Sequence, residues 1–384
     1  MGTAAVTAQI TLPGQSAPLI VPDPGWRSSY PPPRLRSVYA AAHVAVLPGG
    51  DVDWTSTMAF REHLWRHGFG LAEAMDTAQR GMGLPYLLAR ELIERSAARA
   101  AELGTSVASG VATDQLPPGL RPLPEIIQAY SEQLEHVQAA GSQVIVMASR
   151  ALAASARSAA DYLEVYTQVL RQADRPVLLH WLGEAFDPEL RGYWGSTEFG
   201  AAADTVLELL ERADGKVAGI KLSVLDEGNE RSLRRRLPPG VRLYTGDDYH
   251  YDELIRGDAD GHSDALLGAF AAVTAPAAAA LHALDAGDVA GYDAAIGPTV
   301  ALSRLIFEPP TYDYKAGIAF LAWLNGLQPR FQMLGGLESR RSAEHLTRVF
   351  ELAAAARALL DPDLAVSRMR EFLASPQPGR AAGR

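Results

Sequence analysis

The sequence predicts a (β/α)₈ TIM barrel with an N-terminal hairpin and a C-terminal helical extension. Short apolar runs alternate with amphipathic segments long enough to be crossover helices, which is typical of parallel strands. About eight such runs follow one another, as in a closed barrel. An open doubly wound sheet is the rival architecture, but no glycine-rich G-x-G-x-x-G turn follows the first run. The chain has 384 residues and is 48% hydrophobic, so one large α/β domain is as plausible as two.

The elements are expected in the following order. Residues 1–42 predict a hairpin, with Pro13 and Gly14 at its turn, and the linker "YPPPRLR". The barrel is expected over residues 43–275, and its predicted strands are 43–48, 70–76, 106–114, 143–149, 176–183, 217–224, 241–247 and 264–273. The predicted helices between them are 53–67, 85–102, 123–139, 159–173, 200–213 and 228–236. Residues 276–373 predict the helical extension, and 374–384 a disordered tail.

Composition restricts the partners and the compartment. The net charge is −10 without a basic stripe, so nucleic acid is not an expected partner. The absence of cysteine excludes disulfides, thiolate nucleophiles and cysteine-ligated metals, and it fits a reducing cytoplasm. The N-terminus lacks the pattern of a signal peptide, and the longest apolar stretch is interrupted by Pro276. We therefore expect a cytoplasmic protein without a membrane partner.

Lys221 lies in the middle of an apolar strand, "KVAGIKLSVLD", in a chain that has only three lysines. Because side chains alternate across a strand, Lys221 should share the barrel interior with Val217, Gly219 and Ser223. Burial lowers the pKa of an amine, and a neutral lysine can form a Schiff base with a carbonyl compound, whereas arginine cannot. The alternatives are a buried lysine paired with Asp or Glu, or a strand-end lysine whose ammonium reaches water.

Polar residues cluster where other predicted strands end, which is where barrel enzymes place their active sites. His180 lies inside the fifth strand and could be a proton shuttle or a core histidine. The carboxylates could orient substrate hydroxyls, pair with Arg80 and Lys221, or cap helices. The candidates at the strand ends are Glu73, Asp76, Thr77, Asp114, Tyr244, Gly246, Asp247 and Asp248.

The motifs "GIKLS" and "YTGDD" resemble those of the dihydrodipicolinate synthase and N-acetylneuraminate lyase superfamily, in an uncharacterised bacterial branch. "FREHLWRHGFGLAEAMDTAQRG", "RPVLLHWLG" and "PTYDYKAGIAFLAWLNGL" follow the superfamily order over roughly residues 43–330. The resemblance implies Lys221 as the Schiff-base lysine, a pocket lined by "YTGDD", and a homodimer or homotetramer. Two departures stand out: Asp76-Thr77 replaces a Thr-Thr pair that grips a 2-keto-acid carboxylate, and His180 replaces a proton-relaying tyrosine.

These observations predict a class I carbon–carbon lyase, aldolase or related dehydratase, with Lys221 and His180 as catalytic residues. An aspartate at position 76 would repel a carboxylate, so the expected partner is a keto-sugar or sugar-derived carbonyl compound rather than plain pyruvate. The predicted substrate-binding residues are Asp76, Thr77, Asp114, Tyr244, Gly246, Asp247 and Asp248. No cofactor and no metal are expected, because no H-x-H or H-E-x-x-H spacing occurs.

Two alternatives keep the barrel. A divalent metal could act as the Lewis acid, with ligands drawn from His180, His250, His262, Asp76 and Asp247. A non-catalytic sugar-binding barrel would bind its ligand without turnover and without needing Lys221.

Overall fold

The computed structural model describes residues 8–375, and its centre is a closed barrel of eight parallel strands. β1 (Gln9–Ile10) and β2 (Leu19–Ile20) form the predicted antiparallel hairpin ahead of it. The barrel strands are β3 (Val38–Ala41), β4 (Gly70–Glu73), β5 (Val107–Val111), β6 (Gln143–Val146), β7 (Val177–Leu182), β8 (Val217–Ser223), β9 (Arg242–Thr245) and β10 (Asp264–Leu267). β10 pairs with β3 and so closes the barrel, which confirms the predicted fold class.

Helices cover the outside of the barrel and continue beyond it. The helices of the barrel region are α1 (Trp54–Arg66), α2 (Tyr86–Leu103), α3 (Leu123–Ala139), α4 (Arg150–Ser155), α5 (Ala159–Arg171), α6 (Phe199–Arg212), α7 (Glu227–Arg236), α8 (Tyr251–Arg256) and α9 (Ala269–Ala272). Those of the C-terminal extension are α10 (Thr274–Asp285), α11 (Val289–Ile306), α12 (Lys315–Leu324), α13 (Ala343–Ala355) and α14 (Pro362–Ala374). Within residues 8–375, no helix is both long enough and apolar enough to cross a membrane.

The first barrel strand is β3, not the predicted run 43–48. Val38 and Ala40 join the core under the helices, whereas Tyr39 and Ala41 face the barrel interior. Residues 43–46 follow the strand as buried loop and 47–48 are exposed, with an isolated bridge between Val46 and Val52. The prediction failed because "VYAA" is short and alanine-rich, and alanine has little strand propensity.

A bulge in β8 changes the alternation that the sequence predicted for this strand. Val177 pairs with Val217 but Leu178 pairs with Gly219, so Ala218 is an extra residue. Val217 therefore packs with the helix-side core, and Ala218 packs against the interior, contrary to the prediction. The alternation resumes after the bulge, and Lys221 faces the interior as predicted.

The C-terminal extension holds the segment that reaches the barrel mouth. All ten residues of α12 are buried, and α12 packs against α9, directly after the last barrel strand. The N-terminal hairpin also contacts the extension, because Arg370 Nη2 on α14 donates a hydrogen bond to the Gln9 carbonyl at 2.8 Å. Of the predicted tail 374–384, Ala374 ends α14, and residues 376–384 lie outside the described residues.

Two buried histidines make the fold sensitive to acid. Burial lowers the pKa of His43 to about 4 and that of His63 to about 3, where the neighbouring His67 adds to the effect. An unfolded histidine has a pKa of about 6.5, so below this pH the unfolded chain binds protons that the native state does not. The penalty is absent above pH 6.5 and grows to about 2 kcal/mol for each histidine at about pH 5.

We expect His63→Leu to flatten the pH dependence of the unfolding free energy. Between pH 7 and about pH 5 the variant should lose about 2 kcal/mol less than the wild type in urea titrations. His136→Gln, at a position more than a tenth exposed on α3, is the control and should keep the wild-type slope. An unchanged slope in His63→Leu would show that His63 is protonated in the native state.

Candidate active site

Lys221 lies inside the barrel on β8, and only 5% of its surface is accessible. The turn after β9 leaves room for it, because a Cβ at Gly246 would lie 2.8 Å from Lys221 Cε and would also collide with Ser223 Oγ. Among the described residues, no hydrogen bond and no ion pair within 4.0 Å holds the ammonium group. The arrangement is thus neither the paired lysine nor the solvent-reaching lysine of the two alternatives.

Two aspartates surround Lys221 with opposite protonation tendencies. Burial lowers the pKa of Lys221, and the fields of Asp76 and Asp248 offset this only in part. Burial raises the pKa of Asp248 well above its usual range, although Lys221 and a hydrogen bond from Ala269 N at 3.0 Å act against it. For Asp76, burial is outweighed by Lys221 and Lys315, which lower its pKa to about 2. The site therefore has one ionised carboxylate and one carboxyl group that favours its protonated form.

His180 lies on β7 directly beside Lys221 in the strand register. Its Nε2 is 3.2 Å from Ser223 Oγ, and its Nδ1 is buried with no hydrogen-bond partner. Burial and the nearby Lys221 lower its pKa well below 6.5, so the imidazole is neutral at physiological pH. A neutral imidazole with one free ring nitrogen can accept or donate a proton next to the amine.

Tyr314, which the sequence analysis did not select, completes the polar cluster from the C-terminal extension. Its hydroxyl donates to Asp76 Oδ2 at 2.5 Å and lies 2.7 Å from Thr77 Oγ1. The second oxygen of Asp76, Oδ1, is buried without a partner. Gly268 permits this approach, because a Cβ there would lie 3.2 Å from Thr77 Oγ1 and 3.3 Å from the Tyr314 ring. Tyr314 therefore fixes the direction of the Asp76 carboxylate.

A cavity of about 360 Å³ opens at the carboxyl ends of β4 to β7. Its wall includes Asp76, Thr113, Asp114 and Lys315 but not Lys221, so a substrate would approach the amine from the side on which Asp76 lies. A larger cavity, of about 690 Å³, lies within the C-terminal extension, and its wall includes neither Lys221 nor His180. We assign the smaller cavity to the site because its wall includes Asp76, which lies close enough to Lys221 and His180 to affect the pKa of both.

The structure removes two predicted substrate contacts from the mouth of the barrel. Tyr244 OH donates to Ser37 Oγ at 3.1 Å, and Ser37 precedes β3, so this side chain fills the base of the barrel. Asp247 accepts hydrogen bonds from the amides of Tyr249 and His250 at 2.8 and 3.1 Å, and it stabilises the loop instead. Both predictions are corrected, because residues near a strand end can point to the base or away from the barrel.

The remaining candidates have structural partners. Asp114 lies on the cavity wall but forms an ion pair with Arg80 at 2.7 Å. Glu73 pairs with Arg61 in the core at 2.7 Å and does not reach the cavity. Gly246 provides space for Lys221. In the described part of the chain, no group of three or more His, Asp or Glu side chains is arranged to hold a metal ion.

The closed barrel and the C-terminal helices are similar to the fold of solved dihydrodipicolinate synthases. A putative dihydrodipicolinate synthetase from Pseudomonas aeruginosa superposes with a TM-score of 0.66 at 15% identity, over 84% of this chain and 100% of its own. YagE, a prophage protein of the dihydrodipicolinic acid synthase family from E. coli K12 in complex with pyruvate, gives 0.66 at 18% identity, over 83% and 99%. The 4-hydroxy-tetrahydrodipicolinate synthase from Methylacidiphilum fumariolicum SolV gives 0.64 at 14% identity, over 88% and 99%. These likenesses confirm the fold and the predicted resemblance.

The sequence comparison identifies the family. Residues 16–376 match the model of the family described as "Protein of unknown function (DUF993)", and the chain belongs to this family. A search of the curated proteins finds no match.

Proposed function

We propose that this protein is a class I lyase in which Lys221 forms an imine with a small carbonyl compound. The observation that carries the proposal is a buried lysine, free of ion pairs, next to a neutral histidine whose Nδ1 has no partner. Burial lowers the pKa of Lys221 and so favours its neutral amine, which is the form that attacks a carbonyl carbon. The reaction makes or breaks a carbon–carbon bond, or eliminates water, beside that carbon.

The chemistry needs several proton transfers at one place. Lys221 Nζ attacks the carbonyl carbon, and the resulting carbinolamine loses water to give the imine. In the cleavage direction a base removes the proton of the hydroxyl group on the β carbon, the bond between the α and β carbons breaks, and the β fragment leaves as a carbonyl compound. The electron pair of the broken bond enters the protonated imine, which gives an enamine. Protonation of the enamine and addition of water then release the product and the free lysine. We assign these proton transfers to His180 Nδ1, which has no hydrogen-bond partner among the described residues, and the ionised Asp76 would stabilise the positive charge of the iminium.

The polar groups of the site favour a hydroxylated carbonyl compound, such as a keto-sugar or a sugar-derived aldehyde. Asp76 Oδ1 has no partner in the structure and can accept a hydrogen bond from a hydroxyl. A protonated Asp248 adds donor capacity beside it, whereas the Thr77 hydroxyl donates to Tyr314 and can accept a hydrogen bond. Because Asp76 stands where the resembling enzymes have threonine, plain pyruvate is not the substrate that we propose. A homodimer or homotetramer and a cytoplasmic location stay predictions.

Borohydride trapping tests the imine. Protein is incubated with hydroxypyruvate, dihydroxyacetone, erythrulose or pyruvate, reduced with cyanoborohydride, digested and mapped by mass spectrometry. We expect a reduced adduct on the peptide that contains Lys221. Lys216 and Lys315, the other lysines of the chain, serve as internal controls for non-specific reduction. A compound that is turned over without forming an adduct on Lys221 would reject the imine route.

A further inference from the structure

Lys315 is a buried cation on the wall of the active-site cavity, and no residue between 8 and 375 forms an ion pair with it. It is 3% exposed, and its Nζ donates to the Tyr312 carbonyl at 3.0 Å and lies 3.5 Å from Met82 Sδ. Among the described residues no carboxylate oxygen lies within 4.0 Å of it; Asp76, Asp313 and Asp187 act on it from farther away. Burial lowers the pKa of Lys315 to about 8, so the ammonium is still mostly protonated at neutral pH.

The other cations of the cavity wall are neutralised by the protein itself. Arg80 forms an ion pair with Asp114 at 2.7 Å. Arg150 forms ion pairs with Asp187 at 2.6 Å and with Glu189 at 3.6 Å. Within residues 8–375, Lys315 is therefore the one cation of this cavity wall that has no ion pair with the protein and can form one with a ligand. A buried ammonium without an ion-pair partner is costly, and the Tyr312 carbonyl and the Tyr314 ring, 4.5 Å from Nζ, offset this cost only in part.

The position of Lys315 in the helix also argues against a purely stabilising role. Lys315 is the first residue of α12, and the N-terminus of a helix disfavours a cation and favours an anion. An anion bound at this place would interact favourably with both the ammonium group and the helix dipole. Asp76 acts on both Lys315 and Lys221 from beyond ion-pair distance, so its charge is shared between the two side chains.

We propose that Lys315 binds an anionic group, a carboxylate or a phosphate, carried by the substrate away from the carbonyl that reacts with Lys221. The inference rests on the proposed imine chemistry and narrows its substrate to a sugar acid or a sugar phosphate. The anionic group would occupy the cavity at the Lys315 wall while the carbonyl approaches Lys221 past Asp76. A carboxylate directly on the reacting carbonyl carbon would instead lie next to the Asp76 carboxylate, which repels it.

Matched pairs of carbonyl compounds test this. The carboxylate arm compares 4-oxopentanoate with 4-oxopentanamide, and the phosphate arm compares dihydroxyacetone phosphate with dihydroxyacetone. The initial rate of cyanoborohydride trapping on Lys221 is measured by intact-protein mass spectrometry. We expect the wild type to trap the anionic member of at least one pair about ten- to hundred-fold faster than its neutral partner, as a charge-assisted hydrogen bond implies. The pair that shows the preference identifies the anion.

The variants assign this preference to Lys315. Lys315→Met should remove the preference, so that the anionic and neutral members of a pair are trapped within about two-fold of each other, and the adduct that still forms on Lys221 shows an intact site. Lys315→Arg keeps the charge and should keep most of the preference, and Lys216→Met is the control at an unrelated lysine. Equal trapping of both members of each pair by the wild type, or an unchanged preference in Lys315→Met, would overturn the anion site alone. Absence of any Lys221 adduct would overturn the proposed function as well.

Discussion

Lys221→Arg is expected to abolish imine formation and to lower turnover at least about 10³-fold, because it removes the nucleophile itself. A guanidinium stays protonated at any pH that the protein tolerates, so it keeps the positive charge of the site but cannot attack a carbonyl carbon. The measurements are borohydride trapping and turnover with whichever compound the wild type traps. Lys221→Met, which removes the charge as well, should show the same loss.

Lys216→Arg is the matched control for this experiment. Lys216 precedes β8, and its Nζ donates to the Ala173 carbonyl at 2.7 Å, a bond that arginine can also make. Activity and trapping should stay within about two-fold of the wild type. If Lys221→Arg kept more than about a tenth of the turnover, Lys221 would act through its charge and not through a covalent bond.

Most of the fold could be predicted from the sequence because each signal was local. The pattern of short apolar runs and amphipathic segments placed α3 at its observed bounds of Leu123–Ala139, and the other predicted helices end close to theirs. The prediction of the first strand was wrong because "VYAA" lacks β-branched residues after Val38, whereas the run at 43–48 is more apolar and matched the strand pattern better. The bulge at Ala218 could not be predicted, because it depends on pairing with β7.

The site could be predicted only in part. Lys221 was expected in the barrel interior from strand alternation, and His180 was selected because it is a polar residue inside an apolar strand. Tyr314 and Lys315 come from the C-terminal extension, and only the packing of α12 on α9 brings them to the barrel mouth. Tyr244 was selected because it lies at the end of the seventh predicted strand, but that position does not encode the height of the side chain along the barrel axis, and its hydroxyl reaches Ser37 at the base.

Glu73 is another strand-end residue whose direction the sequence did not predict, and it contributes to stability instead of to the cavity. It ends β4 and was a candidate for the cavity, yet its side chain forms a fully buried ion pair with Arg61. Arg61 Nε and Nη2 donate to the carboxylate at 2.7 and 2.9 Å, and Nη1 donates to the carbonyls of His43 and Thr57. Ser96 Oγ and Ala74 N also donate to the same carboxylate. The pair joins α1, α2 and β4 without exposure to solvent.

Glu73→Gln is expected to lower the free energy of unfolding by about 3–5 kcal/mol, because it leaves the Arg61 charge buried and uncompensated. The measurement is a urea titration at neutral pH, with Glu91→Gln as the control. Glu91 pairs with Arg95 on the surface of α2, where loss of the pair should cost less than about 1 kcal/mol. A double variant, Arg61→Met with Glu73→Leu, removes both charges and should recover much of the loss, since an apolar pair replaces a buried ion pair with little penalty. Equal losses in Glu73→Gln and Glu91→Gln would mean that water reaches the Arg61 guanidinium.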